Sequence, residues 1–257
     1  MDYFFIALVA LLGSALTFFS GFGLGTILLP VFALFFPLEL AISLTAIVHL
    51  LNNLFKLLLT YSKANKNVVL QFGLPALISA FLGAFVLQAL SNLPPLYTYT
   101  LAGHSHDISP VKLTIALLLL FFSLMEIIPR FKKMEFDVRY LPLGGLLSGF
   151  FGGLSGNQGA MRSAFLIRSG LSKEGFIASG VMIACMIDVS RLSVYSGHFP
   201  DLSDPKLLYP LLCAVLSAFL GALLGNRLIK KITISSLQIL VTVFLVIFSL
   251  LLGLGIL

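Results

Sequence analysis

From Tyr3 to Phe36 the chain runs for 34 residues without an Asp, Glu, Lys or Arg. Built as one straight helix, such a stretch would be about 51 Å long, against a hydrocarbon core of roughly 30 Å. It must either tilt steeply or break. Three further uncharged runs, Val68 to Leu90, Leu113 to Met125 and Ile232 to Leu257, have the character of membrane spans, the short run from Leu113 being extended past Glu126 to Ile128. Composition agrees, since 59% of residues are hydrophobic and 10% charged, where a soluble domain has about 45–50% apolar and about 25% charged residues.

The formal net charge of +6 does not point to nucleic acid. No basic cluster is interleaved with aromatic residues as single-strand binding requires. Cys185 and Cys213 both lie in apolar segments, form no ligand or disulfide pattern, and read as small hydrophobes. The N-terminal MDYFFIALVALLGSALT carries Asp2 in place of the basic region of a signal peptide, so it is expected to remain as the first membrane segment.

The chain contains a duplication. A shift of 135 aligns Ser20 to Lys56 with Ser155 to Arg191 without a gap, placing Asn53 on Asp188 and Lys56 on Arg191. A shift of 138 superposes SAFLGA at Ser79 to Ala84 on SAFLGA at Ser217 to Ala222. The expectation is two membrane repeats, 1–130 and 131–257, forming one integral membrane domain. Breaks are available at SGFGLG (Ser20 to Gly25) and GGLSGNQG (Gly152 to Gly159), where glycine permits turns and polar side chains can satisfy freed backbone groups.

The distribution of Lys and Arg discriminates between tilting and breaking. If each long stretch crosses once, the loops divide seven against six: Lys63, Lys66, Arg130, Lys132, Lys133, Arg139 and Lys206 against Lys112, Arg168, Lys173, Arg227, Lys230 and Lys231. If each is a hairpin returning to its own side, the division is eleven against two, with Lys112 and Lys206 alone outside. Cytoplasmic loops collect Lys and Arg, so the hairpin arrangement is favoured. The second repeat then starts on the side opposite the first, which makes the two inverted copies. The expected fold is an all-α polytopic membrane protein. Each repeat is a broken helix or hairpin (Tyr3 to Phe36, Tyr140 to Ser169) followed by three transmembrane helices, at 40–62, 68–90 and 109–128, then at 174–196, 207–228 and 233–256.

Lys56, Arg162, Asp188 and Arg191 then lie at membrane depth, with Glu126 nearer an end. A charge there costs roughly 2.5–3.5 kcal/mol on insertion scales, so three cations need on the order of 8–10 kcal/mol of compensation. A bound anion would supply it. Lys56 has an alternative in snorkelling past Ser62, and Arg191 has one in a private pair with Asp188 three residues earlier. The returning limb of each hairpin starts near mid-membrane with unpartnered N–H groups, a setting that favours anions. Ser20 and Thr26 in one repeat, and Ser155, Asn157 and Gln158 in the other, offer neutral donors; the glycines also satisfy small-xxx-small helix packing. His49, Asn52 and Asn53 share the helix of Lys56, His49 being either a proton carrier or a satisfied interhelical donor. HSHD at His104 to Asp107 reads as a solvated loop, and no metal or cofactor pattern is present.

SGFGLGTILLP opening the first half and GFFGGLSGNQGAMRSAFLI opening the second, in a duplicated chain of this length, resemble the TauE/SafE sulfite exporter family. The resemblance covers essentially the whole chain. It implies a multi-pass protein of the bacterial inner membrane that exports sulfite or organosulfonate anions and is not an enzyme; a homodimer is an allowed assembly. On that reading Lys56, Arg162 and Arg191 bind the oxyanion, with Asn53, Ser20, Ser155, Asn157 and Gln158 completing its shell. Asp188 orients Arg191 and, with His49, couples protons. The competing classes are a membrane-embedded enzyme or assembly factor and a transporter for another small anion.

Overall fold

The computed structural model describes residues 2–20, 23–132, 134–195, 204–228 and 235–257. Its helices are α1 (Asp2–Ser20), α2 (Leu24–Ala33), α3 (Leu38–Thr60), α4 (Lys66–Val68), α5 (Leu74–Ser91), α6 (Pro110–Ile127), α7 (Pro129–Lys132), α8 (Leu141–Ser155), α9 (Gly159–Leu166), α10 (Lys173–Tyr195), α11 (Pro205–Leu228) and α12 (Ser235–Gly253). A π-helical turn, Val69–Gly73, joins α4 to α5 in one rod. Among the described residues four helical segments have the length and apolarity to span a bilayer: Leu38–Lys63, Lys66–Ser91, Lys173–Tyr195 and Pro205–Arg227. Their outward faces suit lipid. Ile78, Leu82 and Phe85 on α5, and Leu212, Leu216 and Leu220 on α11, recur at helical spacing and are all exposed.

Both long apolar stretches, Tyr3 to Phe36 and Tyr140 to Ser169, double back. Phe5 near the start of α1 lies edge-on to Phe35 just past the end of α2, with ring centroids 6.5 Å apart. The Phe136 N–H, ahead of α8, donates to the Ala164 carbonyl in α9 at 3.1 Å. The turns lie where glycine allows a positive φ: Gly23, at +112°, precedes α2, and Gly156, at +77°, ends α8. At 10 and 8 residues the returning limbs α2 and α9 extend about 15 and 12 Å, half or less of the hydrocarbon thickness.

Two seams built on bare backbone hold the bundle. Along α8, a Cβ at Gly145, Gly149 or Gly153 would overlap the carbonyl oxygens of Phe72, Ala76 and Ala80 respectively. The two segments therefore meet on a four-residue repeat with backbone against backbone. α1 packs along α11 in the same manner, Gly221 against the Leu11 carbonyl and Gly225 against that of Ala15. The first helix of each half thus lies on a helix of the other half. α6 packs with α12 and α3 with α10.

One sequence expectation requires correction. HSHD is not an irregular loop: Tyr97–Leu101 and His104–Ile108 form an antiparallel β-hairpin, β1 and β2, with Tyr99 opposite His106. Its two-residue turn, Ala102 at φ 51° and Gly103 at φ 83°, has both residues in the left-handed region, the conformation that matches strand twist. The alternation in YTYTL followed by Ala-Gly was the available signal. Tyr99 ties the hairpin to the end of α12 by donating its hydroxyl to the Leu254 carbonyl at 2.8 Å.

Candidate functional site

The tips of the two hairpins meet inside the bundle. Thr26 Oγ1, in the first turn of α2, donates to Asn157 Oδ1 beyond α8 at 2.7 Å, and Gly25 faces the Gly156 carbonyl. α3 and α10 cross beside these tips, each presenting one polar face in an otherwise apolar helix.

Asp188 on α10 is wholly buried and gathers three partners. Its Oδ2 lies 2.6 Å from His49 Nδ1 and accepts from Asn53 Nδ2 at 3.2 Å, both on α3. Its Oδ1 lies 3.0 Å from Arg191 Nη2. That last contact is close without being aligned as a hydrogen bond, because Asp188 Oδ1 and the Arg191 Nε and Nη2 atoms all lack hydrogen-bond partners. Arg191, 1% exposed, presses its Nη1 against Gly156, where a Cβ would sit 2.5 Å away. Gly156→Ala therefore meets both a positive φ and the guanidinium. The expected cost is about 1–3 kcal/mol, read as a lower melting temperature, with Arg191 displaced from the tip.

Lys56, 4% exposed, stands one turn beyond Asn53 on α3. Its Nζ lies over the Phe18 ring, 5.6 Å from the centroid. With the Asn52 amide turned so that its nitrogen faces Ser14 Oγ at 3.0 Å and the Ala218 carbonyl at 3.1 Å, its oxygen accepts from Lys56 Nζ at 3.3 Å. The cavity lined by Lys56, His49, Asn53, Thr17, Phe18, Leu24 and Val181 measures about 10 Å³, room for about one water. The centre is closed in this conformation.

Arg162 in α9 is 2% exposed, donates to Gln158 Oε1 at 3.3 Å and lies against Gly180 of α10. Ser155 turns back on its own helix, donating to the Phe151 carbonyl at 3.0 Å and accepting from the Asn157 N–H at 3.3 Å. It shapes the tip and offers no spare donor hydrogen. Ser20 closes α1, and its side chain lies outside the described residues. Asn157 Nδ2 and Gln158 Nε2 are buried donors without partners. Ser148, absent from the sequence reading, braces the tip by donating to the Gln158 carbonyl at 3.1 Å. A serine in a glycine-rich apolar helix carries too little signal for sequence reasoning to single it out.

Among the described residues, therefore, three buried cations accompany one buried carboxylate. Three buried N–H-bearing atoms around the second tip, Asn157 Nδ2, Gln158 Nε2 and Arg191 Nε, have no hydrogen-bond partner. Buried donors are ordinarily satisfied, and an excess of cations and donors is the chemistry of an anion site. Fold and site together define a multi-pass membrane protein with a cation-rich centre between two hairpin tips. The chain belongs to the sulfite exporter TauE/SafE family, whose model matches residues 6–252. No curated protein and no solved structure matches it.

Proposed function

We propose that this protein is a secondary transporter that exports sulfite or a related organosulfur anion by alternating access. The observation that carries the reading is the surplus of unsatisfied donors and buried cations at the meeting point of the hairpins. Family membership supports it, because TauE/SafE proteins are transporters, not enzymes. Arg191, Asn157 and Gln158 bind the oxyanion directly. Lys56 and Arg162 supply further positive potential, and Ser155 with the tip backbone sets the cradle. Asn53 holds Asp188, and Ser20 stands at the first tip. The His49–Asp188 contact is the proton-coupling element: the carboxylate bridges α3 and α10, so a proton arriving there weakens one interhelical link and releases Arg191 toward the anion.

The two halves, 1–130 and 131–257, work as inverted repeats. Supporting this, Gly83 of the first SAFLGA faces the Phe150 carbonyl of α8, while Gly221 of the second faces the Leu11 carbonyl of α1. Asn53 and Asp188, equivalent by the 135-residue shift, bond to each other, as residues beside a two-fold axis do. The Lys- and Arg-rich loops face the cytoplasm of a bacterial cell, and the inner membrane is the site of export.

Flux of labelled sulfite in proteoliposomes tests the proposal. Lys56→Ala and Arg191→Ala are each expected to slow it about tenfold to hundredfold, the equivalent of about 1.5–3 kcal/mol for a hydrogen bond to a charged group. Transport at the parent rate by both variants would place the site elsewhere. Sulfate and taurine run in parallel set the substrate class, and a pH-sensitive dye inside the vesicles reports whether protons move with the anion.

A further inference from the structure

On the side of the bundle opposite the Lys- and Arg-rich loops lies a cavity of about 460 Å³, within the roughly 300–1,000 Å³ typical of ligand-sized sites. It is bounded by the first turns of α3 (Glu39, Ile42, Ser43), the last turns of α5 (Leu87, Gln88) and Tyr195 at the end of α10. Two faces lead from it to the buried centre. On α3, Ile42 is followed at helical spacing by Ala46 and then His49; on α10, Tyr195 is followed inward by Arg191 and Asp188. In each case seven residues, about 10 Å, separate the cavity from the charged centre.

Tyr195 closes that interval. It is 7% exposed, and its hydroxyl donates to the Gly153 carbonyl in the last turn of α8 at 2.9 Å. The bond joins the outer end of α10 to the second hairpin just before its tip. The cavity's described lining carries a single ionisable charge, Glu39, which disfavours an anion held there. A mouth with these properties suits release more than capture. Resting on the transport reading above, we infer that this cavity is the release vestibule of the transport path, and that the Tyr195–Gly153 contact is the outer gate between it and the buried centre.

Thiol labelling with a membrane-impermeant reagent, applied from outside to vesicles holding protein with Cys185→Ala and Cys213→Ala, tests the gate. Ser43→Cys, in the vestibule, is expected to react from outside in all backgrounds. Ala46→Cys, wholly buried between vestibule and centre, is expected to react slowly in the parent and about fivefold faster when Tyr195→Phe removes one hydrogen bond. Thr45→Cys, on the same turn, takes its place if Ala46→Cys does not purify as a single species. An unchanged rate in the Tyr195→Phe background, or no outside labelling of Ser43→Cys, overturns the gate. Labelling needs no substrate, so the two readings separate. The expected labelling pattern without sulfite flux defeats the transport reading and leaves the barrier in place. Flux with an unchanged labelling rate defeats the gate alone.

Discussion

Asp188→Ala is expected to destabilise the protein by about 3–5 kcal/mol, the usual cost of removing one member of a buried ion pair. The carboxylate is fully buried and answers His49, Asn53 and Arg191 together. Without it Arg191, itself 1% exposed, is left as an uncompensated charge in a low-dielectric interior, which costs more than the contact itself contributes. Thermal melting of the purified protein in detergent measures the loss. Combining Asp188→Ala with Arg191→Met should recover much of it, because both charges then leave together. If the double variant melts no higher than Asp188→Ala, the penalty arises from packing around the carboxylate. If Asp188→Ala melts like the parent, Arg191 has another anion to answer it.

Gly149→Leu is expected to be the more damaging change, at about 4 kcal/mol or above. A Cβ at that position overlaps the Ala76 carbonyl oxygen and crowds Ser79 Oγ. Since the obstruction is backbone, no rotamer change relieves it, and α8 must move away from α5 along the whole ladder of Gly145, Gly149 and Gly153. The readout is loss of a monodisperse peak on size exclusion. Leu146→Val, on the same helix at a residue 45% exposed, serves as the matched control and should elute as the parent does. A parent-like elution of Gly149→Leu would mean that the seam is not needed for assembly.

The sequence made the spans legible because a bilayer imposes one strong rule: every backbone polar group needs an internal partner, and charge is expelled. The few charges that remain, at Lys56, Arg162, Asp188 and Arg191, are conspicuous for that reason, and the structure buries all four. The breaks were legible as well, since Gly23 and Gly156 take backbone conformations that other residues adopt only under strain. Partner choice was not. Helical spacing placed Asp188 and Arg191 on one face, but only the crossing of α3 over α10 brings His49 and Asn53 to the same carboxylate. Ser155 looked like a free donor and instead caps its own turn. Tyr195 gave no sign of a role, because a tyrosine ending an apolar helix reads as an interfacial anchor.

The bare-backbone seams also decide how the molecule can deform. Contacts between side chains give way by exchanging rotamers, whereas a glycine ladder set against carbonyl oxygens has none to exchange. α5 with α8, and α1 with α11, therefore behave as two stiff girders, each made of one helix from either half of the chain. Compliance is left to the joints where polar side chains can trade partners, namely Thr26 with Asn157 and His49 and Asn53 with Asp188. Asn157 belongs both to those joints and to the groups proposed to hold the cargo, and Asp188 touches Arg191, so in such a machine the hinge and the hand adjoin.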